Sequence, residues 1–270
     1  MPTIKELRQI CQQSEVSPSW LSQSIEGRLN RIFSIYFTWL FSNFSFITPN
    51  RITIIGTLVY LTGAAVFVFH NFYLNFLGAG LIFFSFVLDA CDGELARYRK
   101  AKNNLRIGGL YVEPVSHDIM YGLFFLPIGL GEYFRTGLFW PLVAVFIATS
   151  FKLLFRLLEF RFDGLARHWA SLEGGVYEFK ATDKPHSNNF VYFIYRNLFP
   201  STGILLPLII AGALGRLDIF LYFYAISYFG LWLILFMKKT ALISKKIRAE
   251  EQKTGLKPIE APESQKPLQN

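Results

Sequence analysis

Six apolar runs set the terms on which this chain can fold. Ile52–Phe69 and Ile219–Met237 approach the ~20 residues that an α-helix needs to cross a bilayer. Further runs lie at Tyr73–Leu88, Ile119–Gly131, Gly137–Phe155 and Leu198–Leu214. Inside hydrocarbon every backbone N–H and C=O must be satisfied within its own segment, so these runs read as helices. Composition agrees: 52% of residues are hydrophobic and 17% aromatic, and mean hydropathy is +0.34, above the profile of a soluble domain. Two shorter runs are completed by polar turns, Tyr73–Leu88 passing into an acidic cluster and Ile119–Gly131 beginning earlier, near Gly108. Half-polar helices of this kind line cavities. The expected fold is an all-α, polytopic membrane bundle of six transmembrane helices.

A formal charge of +8 would in a soluble chain raise the question of nucleic acid. Its distribution excludes that reading. Residues 1–51 carry five Lys and Arg, 97–106 five, 152–196 seven and 238–270 eight, against only Arg135 and Arg216 in the opposite turns. By the positive-inside rule both termini and the acidic cluster are cytosolic, and His70–Phe72, Glu132–Thr136 and Gly215–Asp218 form short turns on the other side. No cleavable signal is visible, and Ile52–Phe69 serves as its own insertion signal. Cys11 and Cys91 fall on the cytosolic side and imply no disulfide framework.

Ahead of the first span, Trp20, Leu21, Ile25, Leu29, Ile32, Phe33, Tyr36 and Phe37 recur at helical spacing with Arg28 and Arg31 among them. That pattern predicts an amphipathic helix lying in the interface. A seventh span at Ile32–Ile47 is the alternative, although Ser42, Asn43 and Ser45 interrupt it. Thr48 and Pro49 then supply a cap and a first helical residue for the next helix. Domain limits follow: 1–50 as N-terminal segment and interfacial helix, 51–240 as membrane domain, and 241–270 as a basic to polar tail expected to be disordered. Phe160–Asn189 reads as a polar connection of short helices and loops.

The chemistry concentrates in Leu88–Arg97, LDACDGELAR. A carboxylate in the hydrocarbon zone costs about 2.5–3.5 kcal/mol, so Asp89 and Asp92 must face water, protein or a cation. Residues three or four apart share a helix face, which puts Asp89, Asp92 and Ala96 on one stripe with Gly93 beside it. Glycine and alanine there keep the wall thin where a ligand approaches. Arg97, Arg99, Lys100, Lys102 and Arg106 place cations at the mouth, where they fit either pairing with phosphate oxygens or, for Lys100 and Lys102 above all, positive-inside anchoring. A second stripe follows with Gly109, Glu113 and His117 at four-residue spacing and Asp118 about 100° round the helix from His117. Pro114 is tolerated only in a first turn or at a kink, so a helix start near Val112 is expected. Two acidic helix ends facing each other make a two-walled cation site. Lys152, Arg156, Arg161 and Arg196 fit either membrane anchoring or a phosphorylated acceptor, and His168 and His186 read as solvated.

These residues resemble the CDP-alcohol phosphotransferase family, whose motif is D-x-x-D-G-x-x-A-R, a spacer, then G-x-x-x-D-x-x-x-D. Asp89, Asp92, Gly93, Ala96 and Arg97 match the first half completely. The second half departs from it: the spacer between Arg97 and Gly109 is eleven residues where the family has eight, Glu113 stands for the third Asp and His117 for the fourth. The resemblance implies a membrane enzyme, active at the cytosolic surface and commonly homodimeric, that moves a phosphoalcohol group from a CDP-alcohol donor to an acceptor hydroxyl and releases CMP. It implies two Mg²⁺ or Mn²⁺ ions on Asp89, Asp92, Glu113 and His117, with Gly93, Ala96, Arg97 and Gly109 around the nucleotide. The hydroxyl base falls to His117, whose ordinary pKa near 6.5 suits neutral pH, with Asp118 as the alternative. The acceptor is a lipid or polyol, phosphorylated or not. Membrane prenyltransferases also hold Mg²⁺ on Asp-rich helices but lack the Gly-x-x-Ala-Arg continuation. A catalytically silent CDP-lipid binder or scaffold is the rival from another class.

Overall fold

The computed structural model describes residues 2–12, 24–101, 109–172, 190–200 and 203–254. Trp20, Leu21, Lys102, Arg106 and His186 lie outside them. Among the described residues the regular structure is entirely helical: α1 (Ile4–Cys11), α2 (Ile25–Ser42), α3 (Pro49–Val66), a 3₁₀ turn (Phe67–Phe69), α4 (Phe72–Ala101), α5 (Gly109–Leu123), α6 (Phe125–Thr136), α7 (Trp140–Leu172), α8 (Phe190–Leu198), α9 (Leu205–Ala213) and α10 (Leu217–Thr254).

By length and composition, four helices among the described residues suffice to cross a membrane, over Pro49–Phe69, Phe72–Lys100, Trp140–Ser171 and Leu217–Arg248. The chain is thus a multi-pass membrane protein, but two of the six expected crossings take a different form. α5 and α6 break at Phe124, because Pro127 has no N–H to offer the Leu123 carbonyl and its ring crowds that oxygen. α9 is only nine residues long and follows a bend at Phe199–Pro200. Pro114 does not delay α5, which opens at Gly109 and carries the proline inside.

Two boundaries move outward from the sequence expectation. α7 runs on through residue 172, so the first part of the expected polar connection, Phe160–Leu172, is a continuous helix. α10 likewise continues past the expected tail boundary to Thr254. Lys245, Lys246, Arg248, Ala249 and Glu250 are good helix formers, and no breaker comes before Gly255.

Thr48 caps α3 as expected, its hydroxyl accepting from the Arg51 amide with Pro49 in the first turn. α3 and α4 then pack so closely that the glycines at their crossing touch: a Cβ on Gly78 would stand 2.6 Å from the Gly63 carbonyl oxygen, and one on Gly63 2.8 Å from that of Gly78. Tyr60, Phe67, Phe86, Phe124, Phe125, Ile128, Leu221 and Tyr224 build the larger core, where α3, α4, α5, α6 and α10 meet.

α2 departs from the interfacial pattern in its polarity. Its buried stripe is Glu26, Asn30, Ser34 and Thr38, four residues apart and turned toward the bundle, whereas Ile25, Leu29, Ile32, Phe33, Tyr36 and Leu40 are exposed. An interfacial helix turns polar residues to water; this one turns them into protein and leaves an apolar face outward. The reason lies on α4, where the carboxylate of Glu94 is 1% exposed. It accepts from Ser34 Oγ at 2.8 Å, Thr38 Oγ1 at 2.7 Å and Gln12 Nε2 at 2.7 Å, which draws α1 and α2 onto α4.

At the end of the bundle opposite Arg97, His70, Gly137 and Gly215 adopt left-handed backbone conformations at tight turns. Two of them fall in connections expected from charge, His70–Phe72 and Gly215–Asp218; the third expected connection, Glu132–Thr136, is the last part of α6, and the turn comes just after it at Gly137. Among the described residues only His70 carries a side chain at positive φ, 46°. It is held by a 2.6 Å hydrogen bond between its Nε2 and Glu132 Oε1. Glu132 is fully buried and its other oxygen accepts from Arg135 Nε and Nη2 at 3.1 and 2.6 Å.

Candidate active site

The site lies in the cleft between the C-terminal third of α4 and α5, two helices that both rest on α3. α4 stays helical through the acidic cluster because Asp89–Arg97 contains no proline and only one glycine. Thr53 of α3 is the floor on one side: its hydroxyl donates to Asp92 Oδ2 and also reaches the Pro49 carbonyl at 3.1 Å. Asp92 is 5% exposed, so this bond fixes an acid that water barely reaches. Asp89, one turn back toward the bundle, is more open.

The opposite wall is α5. His117 Nε2 lies 2.9 Å from Asp89 Oδ1, bridging the two helices across the cleft. Asp118 points elsewhere, accepting from Arg156 Nε at 2.7 Å. Of the two candidate bases, therefore, His117 meets the acids of α4, and Asp118 is engaged by α7. Glu113 is within electrostatic reach of Asp89, His117 and Arg97, and Asp92 within reach of Asp89, Glu113 and His117. A small cavity of about 10 Å³ under these groups is lined by Tyr60, Phe86, Asp89, His117, Met120 and Tyr121.

Three carboxylates and one imidazole form a donor set suited to a hard divalent cation. Among the described residues, no three His, Cys, Asp or Glu side chains are drawn close enough to hold an ion as they stand. The donor types fit such an ion; their spacing is open.

Arg97 stands over the stripe at the mouth. Its Nε donates to the Cys11 carbonyl at 2.9 Å, so the C-terminal end of α1 sets the direction of the guanidinium. A Cβ built on Gly93 meets only that guanidinium, at 3.5 Å or more. Gly93 thus leaves open space beneath Arg97. Ala96 is exposed on the same stripe, and Gly109 is the first residue of α5. Arg99 is committed to structure, donating from Nη2 to the Ile47 and Phe44 carbonyls at 2.6 and 3.2 Å.

Both cysteines are packing residues. Cys91 donates from Sγ to the Ser34 carbonyl at 3.2 Å, and Cys11 to the Glu94 carbonyl at 3.3 Å. Burial pushes the Cys11 thiol up to about 11, which keeps it neutral and unreactive.

Lys152 and Arg156 come to the α5 side of the cleft through Tyr121. The Lys152 ammonium is 5.0 Å from the Tyr121 ring centre and 4.6 Å from that of Tyr228, and donates to the Phe199 carbonyl at 3.1 Å. The Arg156 guanidinium sits 4.8 Å from the Tyr121 ring centre. Arg161 and His168 are exposed on α7, away from these contacts, and Arg196 is on α8.

Sequence reasoning missed Thr53, Glu94 and Tyr121. Thr53 falls one turn after Pro49, but nothing in the chain says which helix it faces. Glu94 sits among motif residues and reads as one more charge at a membrane surface.

No protein-family model and no curated relative matches this chain. Among solved structures it is similar to the Mycobacterium tuberculosis phosphatidylinositol phosphate synthase with CDP-DAG bound. The two are 16% identical over 80% of this chain and 93% of that one, with a TM-score of 0.44. A likeness of that size does not bear on activity.

Proposed function

We propose that this protein transfers a phosphoalcohol group from a CDP-alcohol donor to an acceptor hydroxyl and releases CMP. The observation that carries the proposal is the bridge between Asp89 and His117, which joins the completely matched half of the motif to the altered half across one cleft. In this reading Arg97 pairs with donor phosphate above the space left by Gly93. Asp89, Asp92 and Glu113 would hold the divalent cation, Mg²⁺ or Mn²⁺, which when bound supplies positive charge at the pyrophosphate. The acceptor oxygen bonds to the phosphorus of the transferred group as the phosphoanhydride bond to CMP breaks.

His117 takes the hydroxyl proton. Asp89, accepting from Nε2–H, holds the ring in one orientation and leaves Nδ1 as the basic nitrogen. Tyr121, Lys152 and Arg156 border the same cleft and give a phosphorylated acceptor its place. The charge asymmetry supports a cytosolic site.

The test is CMP release from purified protein with a panel of CDP-alcohols and membrane or cytosolic extracts as acceptor source. Asp92→Asn and Asp89→Asn are expected to abolish release while leaving a folded, membrane-inserted protein. His117→Ala is expected to slow single-turnover transfer about a hundredfold, and Asp118→Ala far less. CDP-donor binding with no CMP release across the panel and both metals would replace the enzyme reading with a binding role.

A further inference from the structure

A second cavity, of about 350 Å³, lies between α2, α4 and α9. That volume is in the range of small-molecule sites, roughly 300–1,000 Å³. Its wall is apolar almost throughout, with Leu29, Phe76, Phe83, Leu206 and Ile209 prominent. Leu29, Phe76 and Leu206 are also exposed on the outer surface, so the cavity opens sideways through the bundle's apolar flank.

Two polar side chains break this pattern, Asn197 and Glu26; the Asn197 amide is engaged, Oδ1 accepting from the Ile25 amide at 3.0 Å and Nδ2 donating to the Phe193 carbonyl at 2.8 Å. Glu26 lines the cavity and is 7% exposed. Its Oε1 accepts from the Leu206 amide at 3.1 Å, and its Oε2 has no hydrogen-bond partner among the described residues. The next polar residue of the α2 stripe, Asn30, is equally buried and also has an unpartnered oxygen, Oδ1. A buried polar atom left without a partner is unfavourable and rare, and each instance asks for an explanation.

We propose that this cavity binds a long-chain alcohol drawn from the bilayer, its apolar body against the aromatic and aliphatic wall and its hydroxyl on Glu26 Oε2. The lining selects this chemistry. Among the described residues no Lys or Arg lines the cavity, so a phosphate or carboxylate head finds no counter-charge there. A pure hydrocarbon would fill the space and leave the oxygen unpaired. A neutral hydroxyl both satisfies it and enters from lipid at little desolvation cost. The site is separate from the Asp89 cleft and does not depend on the activity proposed for it.

One wall position permits a clean test. Gly80 lines the cavity, and a Cβ built there meets nothing within 4 Å. Gly80→Leu therefore fills the cavity without touching Glu26, whereas Glu26→Leu removes the polar anchor and leaves most of the space. Full-length protein in phosphatidylcholine vesicles is labelled with a photoactivatable hexadecanol, and cross-linked peptides are mapped by mass spectrometry. Labelling of α2 and α9 in the parent is expected, falling at least fivefold in each variant and largely kept in Glu26→Gln. Unlabelled hexadecanol should compete at least tenfold better than hexadecane, which has no polar group to meet the Glu26 carboxyl. Equal competition by hexadecane, or undiminished labelling in Gly80→Leu, would overturn the proposal even if Glu26→Leu failed to fold.

Discussion

Replacing Gly78 by alanine tests whether the contact between α3 and α4 is as close as it looks. The added Cβ would meet the Gly63 carbonyl oxygen at 2.6 Å and the Phe67 ring at 2.8 Å. An ordinary contact begins near 3.4 Å, so the helices must part by about 0.8 Å at this point. The obstacle is backbone on one side and a fully buried ring on the other, and neither swings away as a flexible side chain does. Overpacking of this kind destabilises by about 1–3 kcal/mol. For a chain of this size that lowers the thermal midpoint by roughly 2–10 °C. The assay is tryptophan fluorescence of detergent-solubilised protein on heating, with Gly80→Ala as the matched control. That second alanine lies on the same helix, meets nothing within 4 Å, and is expected to leave the midpoint level or raise it slightly. Equal midpoints for Gly78→Ala and the parent, or equal losses in the two variants, would refute the argument. Because α4 also carries Asp89 and Asp92, the same displacement is expected to loosen Asp92 from Thr53 and lower CMP release.

Other expectations follow from single contacts. Thr53→Val keeps the volume but removes the hydroxyl from Asp92, and a bond to a charged partner contributes roughly 1.5–3 kcal/mol. CMP release is expected to fall about tenfold, with Thr53→Ser restoring most of it; unchanged rates in Thr53→Val would remove this residue from the site. Glu132→Ala leaves His70 without the partner that holds its left-handed turn, and a hydrogen-bonding group left unsatisfied costs about 1–3 kcal/mol, visible as a lower denaturation midpoint. Glu26 predicts a pH effect. Burial raises its carboxyl from 4.5 to about 8, so the folded protein holds a proton that the unfolded chain has released across that interval. The Glu26 contribution to stability is therefore greatest below 4.5 and is lost as pH climbs through 8. Between pH of about 6 and about 9 the parent midpoint should fall more steeply than that of Glu26→Gln. Parallel slopes would show that Glu26 is ionised in the fold.

The chain told most where a single helix carries the information. Asp89, Asp92 and Ala96 share α4, so helical spacing alone placed them on one stripe with Gly93 beside it. The cap at Thr48 is equally local. The tight turns at His70 and Gly215 were legible from charge, because short loops poor in Lys and Arg mark one side; the third was placed too early, on residues that close α6 as helix. What escaped were pairings between helices. Nothing in spacing says that Thr53 meets Asp92, or that Asp118 goes to Arg156 while His117 goes to Asp89. Helix ends were misplaced for a different reason. At Phe160–Leu172 and from Lys238 onward the residues turn polar, which signals the edge of a membrane but not the end of a helix. At α2, periodicity reveals that two faces differ, and not which one the protein covers.

The inverted polarity of α2 has a consequence for the order of synthesis. Ser34 and Thr38 leave the ribosome sixty and fifty-six residues before Glu94, the carboxylate that accepts from both of them. Until α4 follows, an apolar outer face draws α2 toward lipid while its inner stripe still needs water. Nascent chains end-locked before residue 94 should therefore keep residues 25–42 reachable by aqueous reagents, and only longer ones should bury them.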